Sequence, residues 1–205
     1  MFRSFFSALC LVLGLGVVAF PAFAAEMTAA ERQALLDHLD RTRTLFLDEV
    51  AGLSEAQWQF KASEDRWSIA QCAEHIAKAE EFIRKSVEKI LETPATPEQL
   101  AQAAGKTEKV LPLIVDRSQK FQAPEGLQPT EATADPAAIV KRFKEERKAT
   151  VKLAKKEGGL RSHAGPHPAF ETLDAYDWLL FLSGHTERHI LQIREVKAAP
   201  GFPAV

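Results

Sequence analysis

Two histidines one helical turn apart carry the clearest chemical signal in the sequence. His185 and His189 lie in the stretch GHTERHILQI, residues 184–193. On an α-helix, residues i and i+4 lie above one another on the same face. A buried imidazole is costly without a partner, so this pair is predicted to be hydrogen-bonded inside the core or bound to a metal ion. The apolar stripe that the two histidines continue is formed by Trp178, Leu182, Ile193 and Val196.

A third histidine, His75, has the same character on another predicted helix. It lies beside Cys72 and Ile76 on the apolar line of that helix. Three inward histidines on two helices can converge only if those helices are neighbours, and helix bundles build metal sites in this way. Three neutral imidazoles suit a divalent transition ion such as zinc, nickel or iron(II), and they leave at least one coordination position open. The spacing therefore favours a metal site formed by His75, His185 and His189.

Two alternatives stay open at this point. The ion is structural rather than catalytic if a fourth protein ligand closes the site, and His167 and Cys72 are the candidates. The apolar neighbours of Cys72 favour a small buried filler, and His163 and His167 lie in a proline-rich loop. In the other alternative, the histidines are metal-free core residues satisfied by hydrogen bonds. A zinc-protease mechanism is not supported, because Thr186 stands where that pattern requires Glu.

Gln192 and Arg188, which lie beside the predicted ligands, each have a functional interpretation, with an ordinary polar helix face as the alternative for both. Gln192, three residues after His189, can orient a ligand or a bound water by a hydrogen bond. Arg188 can hold an anionic substrate, but an ordinary charged helix face is the favoured interpretation. Glu74 precedes His75, so helix geometry turns it about 100° away and makes it a poor general base.

Four long helices are predicted to position these residues. Capping boxes and an Asp-Pro pair mark their starts, and no strand-like alternation or internal repeat is visible. Prolines and glycines interrupt residues 93–134, where at most short helical pieces near 98–104 are expected. This segment is interpreted as a long crossover between the second and third helices, covering one end of an all-α four-helix bundle. The predicted helices span about 29–50, 68–92, 136–157 and 172–197, with Thr28, Ser68, Asp135 and Thr172 as their caps.

The first 24 residues have the features of a secretory signal peptide. Arg3 supplies the positive charge, a short apolar run follows, and Ala22-Phe23-Ala24 is a small-x-small cleavage pattern. Cleavage is therefore predicted between Ala24 and Ala25, which leaves one domain over residues 25–200. The product is expected to be periplasmic or secreted and not stably inserted in a membrane, because the apolar run is too short for a comfortable span.

Composition excludes some classes of partner. The 26 basic residues less Arg3 leave 25 against 28 acidic residues, a formal net charge of −3 for the mature chain. Basic and acidic residues are interleaved rather than gathered in a patch, which argues against a nucleic-acid partner, and the run 141–148 is interpreted as a solvated helix face. Cys72 is the only cysteine of the mature chain, so an intramolecular disulfide is excluded there.

Three stretches of the sequence resemble successive landmarks of DinB/YfiT-like proteins, and the resemblance extends over residues 29 to about 197. They are LSEAQW at 53–58, WSIAQCAEHI at 67–76 and GHTERHILQI at 184–193. The resemblance implies an up-down-down-up four-helix bundle, often dimeric, in which one His of the second helix and two of the last bind a divalent metal. Carried over, these ligands are His75, His185 and His189, the residues that the spacing also favours.

The family includes metal-dependent thiol transferases, a thiol-dependent isomerase and proteins without an established activity. Together with the predicted export signal and the open coordination position, the resemblance leads us to expect an exported metal-dependent hydrolase or thiol transferase that acts on an unidentified small molecule. Export argues against a cytosolic low-molecular-weight thiol as cosubstrate. A metal-stabilised structural protein and a metal-free bundle that binds a small ligand are the alternatives, and a homodimer is the assembly that the resemblance suggests.

Overall fold

A computed structural model of the protein describes residues 26–130 and 135–204. The predicted signal peptide and its cleavage point lie outside these residues. In the described part, no helix is both long enough and apolar enough to cross a membrane. The helices are α1 (Ala29–Val50), α2 (Glu55–Gln59), α3 (Ile69–Ile90), α4 (Pro97–Ala103), α5 (Thr107–Val115), α6 (Pro136–Lys156) and α7 (Ala175–Lys197), and the strands are β1 (Ala164–His167) and β2 (Glu171–Asp174).

The four long helices α1, α3, α6 and α7 form the predicted four-helix bundle. Their order around the bundle follows from their contacts: α1 packs beside α7, α7 beside α3, α3 beside α6, and α6 beside α1. The bundle therefore makes neighbours of α3 and α7, the two helices that carry the three histidines. Its interior is filled by clusters of buried apolar side chains that include Leu35, Leu39, Leu179 and Leu182 in one and Phe46, Ile69, Phe143 and Ile193 in the other.

Local capping chemistry sets three of the four long helix starts as predicted. Thr28 with Glu31 and Ser68 with Gln71 each form a complete capping box. The Asp135 side chain accepts a hydrogen bond from the backbone of α6, and Pro136 occupies its first turn. These short sequence signals are sufficient because each is satisfied by residues within one turn of the helix.

The start of α7 differs from the prediction. Asp174 rather than Thr172 caps this helix, and its side chain accepts a hydrogen bond from the backbone N–H of Asp177. Thr172 instead belongs to β2, which pairs antiparallel with β1. The expectation of no strands was therefore wrong for this segment. Strands of four residues are too short to show a clear alternation, and the hairpin is held by its packing against the helices.

The crossover between α3 and α6 is more helical than predicted. It contains α4, α5 and a 3-10 turn at Glu125–Leu127. Thr96 and Gln99 form a capping box for α4, and Pro97 falls in the first turn, where proline is favourable. Pro112 lies inside α5, but Val110 and Ile114 bury their side chains and the helix packs on α7. Tertiary packing thus overrides the helix-breaking tendency of this proline.

A buried ion pair crosses the core of the bundle. The Arg147 guanidinium donates from Nε and Nη2 to the Glu80 carboxylate at 2.7 and 2.8 Å, and neither side chain is exposed. Arg147 also donates to the Leu39 carbonyl, Thr42 and Thr186, so one side chain of α6 contacts α1, α3 and α7. The interpretation of residues 141–148 as a solvated face was wrong at Arg147, because a charge run gives no sign of which member faces the core.

Candidate metal centre

The structure brings the three predicted ligand residues together at the contact between α3 and α7. One ring nitrogen from each of His75, His185 and His189 lies within 4.8 Å of those of the other two. The Nε2 atoms of His75 and His185 are 3.2 Å apart. His75 and His189 are buried, whereas His185 is partly exposed.

Hydrogen bonds fix which nitrogen of two rings is free. His75 Nδ1 donates to the carbonyl of Leu127 at 2.8 Å, because a carbonyl oxygen can only accept. His189 Nδ1 pairs with Oε1 of Gln192 at 2.9 Å, which likewise makes Nδ1 the donor. In the neutral ring, Nε2 of both histidines then carries a lone pair. Metal-binding histidines show this arrangement, since the second nitrogen donates to a carbonyl or carboxylate.

All three imidazoles are held in their neutral form. Burial lowers the pKa of His75, His185 and His189 below the ordinary histidine value. The neighbouring histidines lower the pKa of His185 and His189 further. Neutral imidazole is the form that binds a metal ion, so binding at neutral pH does not have to displace a second proton from each ring.

The donor set fits a divalent transition ion. Nitrogens bound at roughly 2.0–2.1 Å in a tetrahedral arrangement lie about 3.3 Å from one another. The His75–His185 separation of 3.2 Å is close to that value. One ring nitrogen from each of the three histidines thus lies close enough to the others for one ion to be shared by all three. Without an ion, the His75–His185 contact is a hydrogen bond between the two Nε2 atoms.

The two candidates for a fourth ligand lie outside this cluster. Cys72 is fully buried among apolar side chains, and burial raises the pKa of its thiol to about 12. His167 lies in β1, where its Nδ1 accepts from the backbone of Ala169 and its ring packs on Trp178 and Phe181. Among the described residues, His75, His185 and His189 alone form a group with metal-ligand spacing. The buried-filler interpretation of Cys72 agrees with its surroundings.

Two aromatic rings border the histidine cluster. The Trp67 ring stacks on His189 with centroids 6.0 Å apart and lies 5.0 Å from His75. The Phe181 ring lies 6.2 Å from His185. Both rings are themselves partly exposed, so they form an aromatic border to the cluster.

Two residues beside the ligands behave differently from one another. Glu74 points away from the site as predicted, and its carboxylate accepts from the backbone and hydroxyl of Thr130. Arg188, in contrast, does not lie on an ordinary charged face. It is 5 % exposed, and its guanidinium donates to the carbonyls of Ile114, Asp116 and Gln119 in the crossover. The sequence carried no signal for this role, since the acceptors are backbone groups of a segment without regular spacing.

Comparison with known sequences identifies the family. A sequence profile described as DinB superfamily matches residues 38–193. The chain belongs to the DinB superfamily. YuaE, an uncharacterized protein of Bacillus subtilis strain 168, is 27% identical over 154 residues, which are 73% of this chain and 89% of YuaE.

A solved structure supports the fold. The chain is similar to YfiT from Bacillus subtilis, which is described as a probable metal-dependent hydrolase with an unusual four-helix bundle topology. The TM-score is 0.55 with 14% sequence identity, and the match covers 86% of this chain and 91% of YfiT. At this identity the likeness shows the bundle topology and leaves the chemistry to the residues themselves.

Proposed function

We propose that this protein is a metal-dependent hydrolase in which His75, His185 and His189 hold one divalent transition ion, with zinc, nickel and iron(II) as candidates. One observation carries the proposal: three neutral imidazoles converge beside a partly exposed ligand, with no fourth protein ligand in the described residues. Three protein ligands and an open position are typical of catalytic rather than structural sites. The description of YfiT as a probable metal-dependent hydrolase supports the same class.

The chain's own groups orient the ligands and shape the site. When bound, such an ion supplies Lewis acidity and lowers the pKa of water at the site to about 7. Gln192 and the Leu127 carbonyl hold two imidazoles in the tautomer that presents Nε2. Trp67 stacks on the buried His189, and a substrate approaches beside His185, the partly exposed ligand.

Thiol transfer is the second reaction that this site supports, and two features favour hydrolysis over it. Cys72 is buried and its thiol is kept protonated, so the mature chain has no reactive thiol of its own. The proposed export, which rests on the sequence of residues 1–24, removes the chain from the thiol pool of the cytosol. Water is available in every compartment.

A serine-based hydrolase is not supported, although a serine, a histidine and a carboxylate do lie together. Ser183 Oγ is 2.7 Å from His38 Nδ1, and His38 Nε2 is 3.4 Å from a Glu187 oxygen. Ser183 is fully buried, however, and also bonds to Thr42 and the His38 carbonyl. A substrate cannot reach its hydroxyl, so this set serves helix packing between α1 and α7.

Cobalt substitution tests the proposal. The purified chain loaded with Co²⁺ should change its visible spectrum on addition of azide or a small thiol, since an open position accepts an added ligand. A panel of ester, amide and phosphoester substrates, each with and without thiol, should then show metal-dependent hydrolysis without thiol. Turnover only with thiol would assign thiol transfer instead. A spectrum that ignores both azide and thiol would mean a closed site, and the catalytic proposal would be abandoned for a structural metal.

A further inference from the structure

The crossover segment 107–130, called here the cover, contacts both helices that carry the proposed ligands. Its α5 portion packs on α7, and its 3-10 turn contacts α3. We propose that the cover is part of the metal centre: its docking across α3 and α7 and the binding of the ion stabilise each other, with Arg188 and Lys78 as positioning residues. This inference rests on the proposed metal site.

The α7 side of this contact begins next to a ligand. Gly184 immediately precedes His185, and a Cβ atom placed on Gly184 would lie 2.5 Å from Cγ2 of Ile114 and 2.9 Å from Cδ2 of Leu111. Real Cβ atoms do not approach other carbons so closely. The missing side chain therefore permits α5 to lie against α7 one residue from the proposed ligand.

Arg188 extends the α7 side. It lies between the two ligand histidines of α7, and its buried guanidinium donates to three carbonyls of the cover, at Ile114, Asp116 and Gln119. The guanidinium also lies over the Phe121 ring, 5.0 Å from its centroid. A buried guanidinium without acceptors is strongly unfavourable. The cover supplies the acceptors and, with the Phe121 ring, part of the burial, so the position of the cover is tied to Arg188 on α7.

The α3 side is held by three neighbouring side chains. Lys78 Nζ donates to the Gln128 carbonyl at 3.0 Å, and Glu74 accepts from the backbone of Thr130 at 3.0 Å. Between them, His75 donates to the Leu127 carbonyl. Glu74 and Lys78, on either side of His75 in α3, thus hold the same stretch of the cover that contains the Leu127 carbonyl, the hydrogen-bond acceptor of His75.

The Leu127 carbonyl makes the coupling reciprocal. An ion at Nε2 of His75 leaves the ring proton on Nδ1, where it faces this carbonyl as a donor. The docked carbonyl selects this same tautomer, whereas with the cover undocked the neutral ring can carry its proton on Nε2, which removes the lone pair that an ion needs. Ion binding therefore favours the docked cover, and the docked cover favours ion binding by the same factor.

Hydrogen exchange on the wild-type chain tests this coupling directly. Zinc loading should slow exchange of the amides at 114–130 by roughly tenfold more than exchange in α4, which belongs to the same crossover but packs on β2. Equal changes in α4 and the cover would mean only general stabilisation and would overturn the inference.

Two pairs of variants test the positioning residues. Arg188→Met and Lys78→Met each remove hydrogen bonds that dock the cover, so each should lower zinc affinity by roughly tenfold through the coupling. The matched controls are Arg194→Met on α7 and Lys85→Met on α3, exposed residues that pair with Glu49 and Glu81 away from the cover. Lys78 is partly exposed and, unlike Arg188, not buried, so Lys78→Met remains informative if Arg188→Met fails to fold. Two results together would contradict the inference while leaving the metal site intact. They are a wild-type zinc affinity in Lys78→Met and hydrogen exchange in the cover that does not change on zinc loading. Failure of the wild-type chain to take up zinc would overturn both.

Discussion

Gln192 is a single side chain that determines which ring nitrogen of the buried His189 is free to bind an ion. It lies one turn after His189 on α7, and its amide oxygen accepts from His189 Nδ1. Without that acceptor, the ring of His189 can rotate or exchange tautomers, and Nε2 is no longer directed reliably toward the other two histidines. The sequence spacing made Gln192 a candidate for this role, and its geometry agrees.

Replacement of Gln192 tests the role at the residue scale. Gln192→Met removes the acceptor with little change in size and should weaken zinc binding by roughly 10–100-fold. Gln192→Glu keeps an acceptor oxygen and should retain most of the wild-type affinity. Competition with a chromophoric chelator measures both. Equal affinities for the wild type and Gln192→Met would assign Gln192 to the ordinary polar face of α7.

Residue-level prediction from the sequence was sufficient to group the three histidines, but it missed two of the backbone contacts beside them. His75, His185 and His189 were selected by helical spacing because the helix period dictates which side chains share a face. The Leu127 carbonyl escaped prediction, since every residue has a carbonyl and only the folded crossover brings this one to His75. Arg188 was misread for the same reason: its acceptors belong to the crossover backbone.

At the scale of elements, the start of α7 is joined to the hairpin and to α1 by one arginine. Arg161 donates to Glu31 of α1 and to Asp174 and Asp177, and its guanidinium lies 3.8 Å from the centroid of the Tyr176 ring. Burial and the neighbouring Asp174 raise the pKa of Asp177 to about 6. One oxygen of Asp177 is buried without a hydrogen-bond partner among the described residues.

This raised pKa gives a pH dependence of known sign. The folded protein holds a proton on Asp177 more tightly than the unfolded chain, whose aspartates titrate near about 3.9. The stabilisation is therefore fully present below about pH 4 and is lost as the pH rises through about 6. The unfolding free energy of Asp177→Asn, relative to the wild type, should rise across that window, by up to about 3 kcal/mol.

Chemical denaturation of the ion-free chain at a series of pH values checks this prediction. Asp48→Asn, on the exposed face of α1, controls for the loss of one carboxylate. A difference between wild type and Asp177→Asn that stays constant with pH, or that shrinks as pH rises, would show that Asp177 is ionised throughout and stabilised by Arg161.

Elements were predictable to the extent that their signals are local. The helices α1, α3 and α6 begin at their predicted caps because each cap is satisfied within one turn. The β1–β2 hairpin and α5 depend on surfaces supplied by distant segments: Gly165 of β1 lies against Ile90, and α5 lies against Gly184. Such contacts leave no periodic pattern in the sequence. Because Thr172 belongs to the hairpin, α7 begins two residues later than predicted, with Asp174 as its cap.

At the scale of the whole molecule, the order of helices around the bundle decides where chemistry can occur. Packing α3 beside α7 brings His75 to the pair on the last helix. The same four helices also surround the Glu80–Arg147 pair. Arg147 of α6 donates hydrogen bonds to Glu80 of α3, to the Leu39 carbonyl of α1 and to Thr186 of α7, and these bonds take the place of water. The Glu80–Arg147 pair is sealed from solvent, whereas the histidine cluster includes the partly exposed His185, and of these two clusters only the second suits a reaction.

Metal content of the purified chain tests the central claim most directly. The chain, prepared without a histidine tag and dialysed against zinc or nickel, should retain about one ion per molecule, because three imidazoles with directed lone pairs form one site. His185→Ala/His189→Ala should retain none. His163→Ala/His167→Ala, which removes two histidines outside the cluster, should retain the ion like the wild type. Equal metal content in the wild type and in His185→Ala/His189→Ala would contradict the assignment of these histidines as ligands and, with it, the proposed function.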